Sequence, residues 1–259
     1  NIDVAFLRTD GKIIEEFGYY NLMPYDEEVK DLLIKAIDEA RIWNFNGPEP
    51  ELFSKTEAAL TNSQIAAVQK CIKLSGLDKN KIGAIGFHGQ TVLHKPPSKS
   101  SKGKTRQLGD GQKMANKLGI PVVYDFRTKD IKEGGQGAPL CPIYHSALLK
   151  KIGAAPTTAI LNLGGLGNLS CYSEKYGLIA FDTGPANAPI NDWVKSFNIG
   201  QMDLDGEIAA RGKVDENKLA AILNDPYFKV SFPKSLDRFD FSYKIAEDMS
   251  LEDLSLIHI

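Results

Sequence analysis

Val29, Leu32, Leu33, Ala36, Ile37 and Ala40 recur at helical spacing and make one continuous apolar stripe. Asp26, Glu27 and Glu28 stand at its start, where the helix dipole favours negative charge. Ile65, Val68 and Ile72 predict the inner face of a second helix that stops at Gly76. A short third one, capped by Asp110, carries Met114 and Leu118 and ends at Gly119. The remaining periodicity is that of strands. Residues 2–7 and 13–20 flank Asp10-Gly11 and read as a hairpin. Further apolar runs begin at Ile82, Val122 and Ala159, the last giving hairpin-like segments near 159–182, with helices around 138–150, 187–198 and 215–224. Alternating elements of this kind predict an α/β fold with a mixed sheet.

Four apolar runs end in groups that do chemistry. Residues 122–142, VVYDFRTKDIKEGGQGAPLCP, pass from Val122, Val123 and Tyr124 into Asp125, then Arg127, Lys129 and Asp130, then a glycine turn. A strand that delivers an acid to its C-terminal end is how open α/β sheets build sites. A strand followed by a charged surface turn fits the same residues, with Asp125 paired to Arg127 or Lys129. Residues 82–94, IGAIGFHGQTVLH, pass into His88, Gly89, Gln90 and Thr91, a mixture of donors and acceptors suited to a hydroxyl-rich ligand such as a sugar. Residues 159–170, AILNLGGLGNLS, place Gly164-Gly165 and Asn168 where backbone N–H groups can converge on a phosphate, although hairpins favour the same residues. A fourth run, LIAFDTGPAN at 178–187, ends at Asp182 before Gly184-Pro185. N-capping of the next helix accounts for one of Asn187 and Asp192 without any function.

The formal net charge of −2 leaves no electrostatic footprint for nucleic acid or an anionic membrane. No apolar stretch approaches the roughly 20 residues that span a bilayer, and no signal peptide opens the chain. Cys71, Cys141 and Cys171, each in an apolar neighbourhood, read as buried free thiols of a cytoplasmic protein. His88 and His94 have no cysteine or suitably spaced acid between them, so no metal site is assigned. His88 reads equally as a satisfied histidine at a strand end, and His145, beside Leu148 and Leu149, reads as packing. Residues 96–104, PPSKSSKGK, read as a solvated loop.

HGQT at 88–91, QLGDGQ at 107–112, the 122–142 segment, LNLGGLGN at 161–168, FDTGPAN at 181–187, and DPYF with PKS at 225–235 occur in this order. Together they resemble the anhydro-N-acetylmuramic acid kinases of the actin/Hsp70/sugar-kinase superfamily. The resemblance implies a two-lobed, ribonuclease H-like architecture, with nucleotide and acceptor meeting between the lobes. It divides the chain into an N-terminal, sugar-side lobe at 1–128 and the start of a second lobe at 129–253. It implies a cytoplasmic enzyme of cell-wall recycling that uses ATP and Mg²⁺ to open and 6-phosphorylate 1,6-anhydro-N-acetylmuramic acid. Its partners are the amino sugar and ATP, and a homodimer is allowed. Asp125 becomes the general base. His88, Gln90, Thr91, Arg127, Asp182 and Asn187 become sugar-side ligands, and Gly164, Gly165, Asn168 and Gly184 hold the nucleotide's phosphates. The sequence departs from the family at Ala186, where glycine is usual, and at Gly111, where proline or asparagine is common.

Both ends depart as well. The resemblance expects a glycine- and serine-containing phosphate loop directly before Ile2, and an adenosine-binding glycine turn beyond Met249. Residues 254–259, LSLIHI, resemble a translated sequencing adapter. The expectation is therefore a truncated chain, itself inactive and a poor binder of ATP. Two rivals remain at this level. One is a metal-assisted sugar hydrolase built on His88, Asp110, Asp125, Asp130 and His145; the other is a non-catalytic sugar-binding module.

Overall fold

The computed structural model describes residues 1–98, 101–236 and 249–258. They form two compact units, Asn1–Leu140 and Cys141–Ile259. The expected boundary, after Thr128, falls inside a helix that belongs wholly to the first unit.

The first unit opens with β1 (Ile2–Thr9) and β2 (Ile14–Met23), an antiparallel hairpin. Its turn forms because Asp10 Oδ1 accepts the Lys12 and Ile13 N–H groups, each at 2.8 Å. Helix α1 (Glu27–Trp43) buries Val29, Leu32, Leu33, Ala36 and Ala40 of the stripe read from sequence, with Ile37 partly buried beside them. Helix α2 (Glu51–Ser75) ends at Gly76, whose φ of +66° only glycine adopts freely. It begins well before its apolar stripe, because Thr56 and Thr61 are also fully buried, their hydroxyls donating to the carbonyls of Leu52 and Glu57.

Next come β3 (Ile85–Phe87), β4 (Gln90–Lys95), β5 (Lys104–Leu108), α3 (Gly111–Leu118), β6 (Val122–Tyr124) and α4 (Phe126–Lys132). Asp110 caps α3 by accepting the Lys113 N–H at 2.8 Å, and Gly119 ends it at φ +64°. One side of α2 packs with α1, β4 and β5 around Phe53, Leu60, Val92 and Leu108. Its continuation, Ile65 and Val68, packs with Phe87, Met114, Leu118 and Ile120. Burying each such side chain contributes about 1.5–3 kcal/mol, so α2 is the element on which the unit is assembled.

In the second unit, α5 (Pro142–Lys151) precedes the antiparallel sheet β7 (Ile160–Leu163), β8 (Leu166–Ser173) and β9 (Gly177–Pro185), in that spatial order. Then follow α6 (Asn187–Ser196), α7 (Glu216–Leu223) and α8 (Leu251–His258). Ile190, Val194 and Leu251 form a small core with Trp193 and Ile208. Helix α8 is tied down by Asp203, whose carboxylate accepts from the Ser255 hydroxyl (2.8 Å) and the Ile208 and Ala209 N–H groups (2.8 and 2.9 Å). Burial pushes the Asp203 carboxyl up, but these three donors outweigh it and hold it below its usual value.

Among the described residues the strands form four small sheets rather than one mixed sheet. Among the described strands only β3 and β6 run parallel. Each stops after its third residue, because Gly89 (φ +63°) and Asp125 (φ +55°) turn the chain left-handed just beyond. The cysteines also differ from expectation. Cys71 is buried and Cys171 half-buried, but Cys141 is exposed, since its apolar neighbours Leu140 and Ile143 are themselves exposed.

His145 on α5 is buried, with Nδ1 2.8 Å from the Ser170 hydroxyl. Burial pushes its imidazole below the ordinary value of 6.5. The unfolded chain then takes up a proton that the folded one refuses. This unit's stability should be complete above about pH 6.5 and fall as pH drops below it, by at most about 1.4 kcal/mol per pH unit. Urea midpoints between pH 7.5 and 5.5, compared with His145→Gln, check this: the variant should lose that part of the slope.

Candidate functional site

The parallel register Ile85↔Val122, Gly86↔Val123, Phe87↔Tyr124 makes His88 and Asp125 the next residues on adjacent strands. Both are exposed at the C-terminal edge of the β3–β6 pair, where open α/β sheets place ligands. Asp125 sits at φ +55°, ψ +51°, a left-handed conformation that costs a non-glycine residue about 1–2 kcal/mol. Its Oδ1 accepts the Thr128 hydroxyl at 2.6 Å. The carboxylate is thereby held at the lip of the sheet, with Oδ2 directed to neither of its own helix's first N–H groups, since Asp125 makes no side-chain cap bond.

The residues beyond Asp125 form α4 rather than a charged turn, and α4 grips the glycine segment that follows. Arg127 Nη1 donates to the Gly137 carbonyl at 2.6 Å, and Asp130 Oδ2 accepts the Gly137 N–H at 2.7 Å. Gly135 lies so close to Asp130 that a Cβ there would fall 2.3 Å from its carboxylate. Arg127 and Asp130 therefore fix residues 134–137 against Asp125's own helix. For Asp130 this is a role the sequence reading missed.

Gly89 crosses Leu108 closely enough that a Cβ would lie 2.4 Å from the Leu108 carbonyl oxygen. Gln90 pairs with Leu108 and Thr91 with Gln107, and Gln90 Nε2 donates to the Thr91 carbonyl at 3.1 Å. His88 and Asp125 thus stand side by side at this edge, Gln90 and Thr91 follow directly on β4, and Arg127 is the second residue of α4. A cavity of about 150 Å³ lies between β1 and β3, reaching from Asp3 and Gln64 to His88 over Val68 and Met114. Ligand pockets run to about 300–1,000 Å³, so this cavity holds no more than part of a ligand. His94 is buried on β4, with Nδ1 3.1 Å from the Thr105 hydroxyl.

The second unit gathers the other candidates. The Gly164-Gly165 turn joins β7 to β8, and its carbonyls face the start of α6. Gly164 O accepts the Asn187 N–H at 2.9 Å, and Gly165 O accepts those of Ala186 and Ala188, both at 3.1 Å. These carbonyls do the work expected of an N-cap side chain. Asn187 instead donates its side-chain amide to the Leu163 carbonyl at 2.9 Å, which closes the turn from the other side. Ala186 has φ −131°, not the left-handed φ that would demand the family's glycine.

Asn168 stands opposite both Asn162 on β7 and Asp182 on β9. Asp182 is buried. Its N–H donates to Lys234 O (3.2 Å), its carbonyl accepts the Tyr227 hydroxyl (2.7 Å), and its Oδ2 accepts the Leu236 N–H (2.8 Å). Gly184 meets the Phe228 ring at 3.3 Å from a would-be Cβ. The segments DPYF and PKS, far apart from FDTG in sequence, therefore brace it. Among the described residues no three His, Cys, Asp or Glu side chains converge as a metal site would require, and no helix is long and apolar enough to cross a membrane.

The family model for anhydro-N-acetylmuramic acid kinase matches residues 1–254. The chain belongs to that family. It is 54% identical over 253 residues to the anhydro-N-acetylmuramic acid kinase of Brucella anthropi, covering 98% of this chain and 68% of that protein. The Rhizobium rhizogenes protein of the same name is 53% identical over the same shares, and that of Caulobacter vibrioides 42% over 97% and 68%. At such identity the family's class holds for this chain, a kinase and therefore a phosphotransferase. Every one of the motifs described above falls within the matched span.

Proposed function

We propose that this protein uses ATP and water to convert 1,6-anhydro-N-acetylmuramic acid to N-acetylmuramic acid 6-phosphate and ADP, a step of cell-wall recycling. The observation that carries the reading is the register-adjacent pair His88 and Asp125, with Asp125 strained at the sheet's C-terminal edge. Strain of this kind persists where a side chain must be aimed. Asp125 accepts a proton from water as the water attacks the anomeric carbon. The bond from that carbon to O6 breaks, and O6 takes the γ-phosphoryl group of ATP. His88, Gln90 and Thr91 hold hydroxyls of the sugar, with Arg127 and the residues 134–137 closing the same edge.

The turn Gly164-Gly165, with Asn168 and Gly184, supplies the phosphate side. Asn187, given to the sugar on the strength of the resemblance, braces that turn through the Leu163 carbonyl, while Asp182, given to the sugar likewise, accepts the Leu236 N–H. Mg²⁺ on ATP keeps phosphate oxygens and waters as most of its ligands, needing only one or two protein carboxylates.

Mass spectrometry of the full-length protein's product tests the reading. The expected product is ring-opened and phosphorylated, formed only with ATP. A ring-opened product without phosphate, made in the absence of ATP, would identify a hydrolase instead.

A further inference from the structure

Glu57, on α2, lies 52 positions from the turn it holds. Its Oε1 accepts the Gly109 N–H at 2.9 Å and stands 3.3 Å from Arg106 Nη1. One helical turn on, the Thr61 hydroxyl accepts the Asp110 N–H at 3.0 Å. Two successive backbone donors of the β5–α3 turn are thus received by side chains of one helix. Arg106 is fixed from behind by Glu49, through Nε to Oε1 at 2.7 Å and Nη2 to Oε2 at 3.1 Å. Burial would push the Arg106 guanidinium down, but Glu49 and Glu57 outweigh this and hold it above its ordinary value. Charge-assisted pairing, bidentate at Glu49, is the strong kind, and the Arg106 and Glu57 side chains are about three-quarters buried, Glu49 about half.

What this network holds is the floor of the His88–Thr91 edge. Gly109 sits with a would-be Cβ 3.1 Å from the Gly89 Cα and 2.8 Å from the Phe87 ring. Glu57 therefore presses on one side of the Gly109 backbone while Gly89 rests on the other. We infer that Glu57, locked by Arg106 and Glu49, is a positioning residue for sugar binding. It acts through Gly109 and Gly89 to set where His88, Gln90 and Thr91 stand. Glu57 lines no part of the cavity beside His88, yet it determines the geometry of the recognition edge.

The inference rests on the sugar-side reading above, and its test separates the two. Amide exchange and steady-state kinetics are measured on the full-length wild type, Glu57→Ala and Glu57→Gln. Glutamine still offers an oxygen to the Gly109 N–H; alanine offers nothing. Glu57→Ala is expected to speed exchange around residues 88–91 and 108–110 by about tenfold or more. It should raise the sugar KM about tenfold with the ATP KM unchanged, and Glu57→Gln should recover most of both effects. A purely structural glutamate would lower the melting temperature and the active fraction while leaving both KM values alone, and that result overturns the inference. So does unchanged exchange in Glu57→Ala. If the wild type fails to turn over the sugar, the functional reading falls, while exchange still decides whether Glu57 fixes the edge.

Discussion

Asp125→Asn is expected to lower kcat by about 10² to 10⁴, the usual loss when a general base is removed, with the sugar KM little changed. The substitution is informative because the structure lets it be clean. Asparagine tolerates the left-handed conformation that Asp125 occupies better than most residues, so the backbone has no reason to move. Its side-chain oxygen can still accept the Thr128 hydroxyl that Oδ1 accepts now. What disappears is the capacity to take a proton from water. Single-turnover and steady-state rates on folded variant, with circular dichroism as the control for folding, check this. Retention of more than about a tenth of wild-type kcat would leave Asp125 the structural role of holding the Thr128 hydroxyl and move the base to Asp182. That acid has the same test: Asp182→Asn keeps an acceptor for the Leu236 N–H, so a collapse there with Asp125→Asn active would settle the exchange of roles.

The parts of the fold that were legible are those where one physical signal acts alone. The α1 stripe, the Asp10-Gly11 turn, and the Asp110 and Gly119 ends of α3 are local, and each formed as read. Helix α4 was not legible. Only Ile131 of its seven residues is buried, so no stripe announces it, and its hold on residues 134–137 comes from Arg127 and Asp130, which resemble a solvated charge run. The early start of α2 was hidden because Thr56 and Thr61 bury their hydroxyls on the preceding turn, which breaks the apolar pattern without breaking the helix. For the site, the residue types and their grouping were visible in the motifs. The neighbours were not: that His88 adjoins Asp125 depends on the register of β3 and β6, and that Asp182 is braced by Tyr227 and Leu236 depends on contacts 45 and 54 positions away. A single sequence carries no periodicity from which such pairings can be read.

Gly89→Ala is expected to destabilise the first unit by about 3 kcal/mol or more, the range reached when backbone strain and steric overlap combine. Two separate costs meet at this position. The φ of +63° is one that an alanine adopts at about 1–2 kcal/mol. The added Cβ would also lie 2.4 Å from the Leu108 carbonyl oxygen and 3.3 Å from its carbon. That oxygen cannot swing aside as a flexible side chain would, because Leu108 is fully buried in the core with Phe53 and Leu60 and its residue pairs with Gln90. Relief therefore requires β4 and β5 to part, which pulls His88, Gln90 and Thr91 off the edge they share with Asp125. Gly76→Ala separates the two costs. Gly76 has nearly the same φ, +66°, but nothing lies within 4 Å of its would-be Cβ, so it bears the conformational cost alone. Chemical denaturation of the two variants should place Gly89→Ala well below Gly76→Ala, with sugar binding lost only in the former. Equal midpoints would mean that the Gly89–Leu108 approach yields easily and that the recognition edge is not built on it.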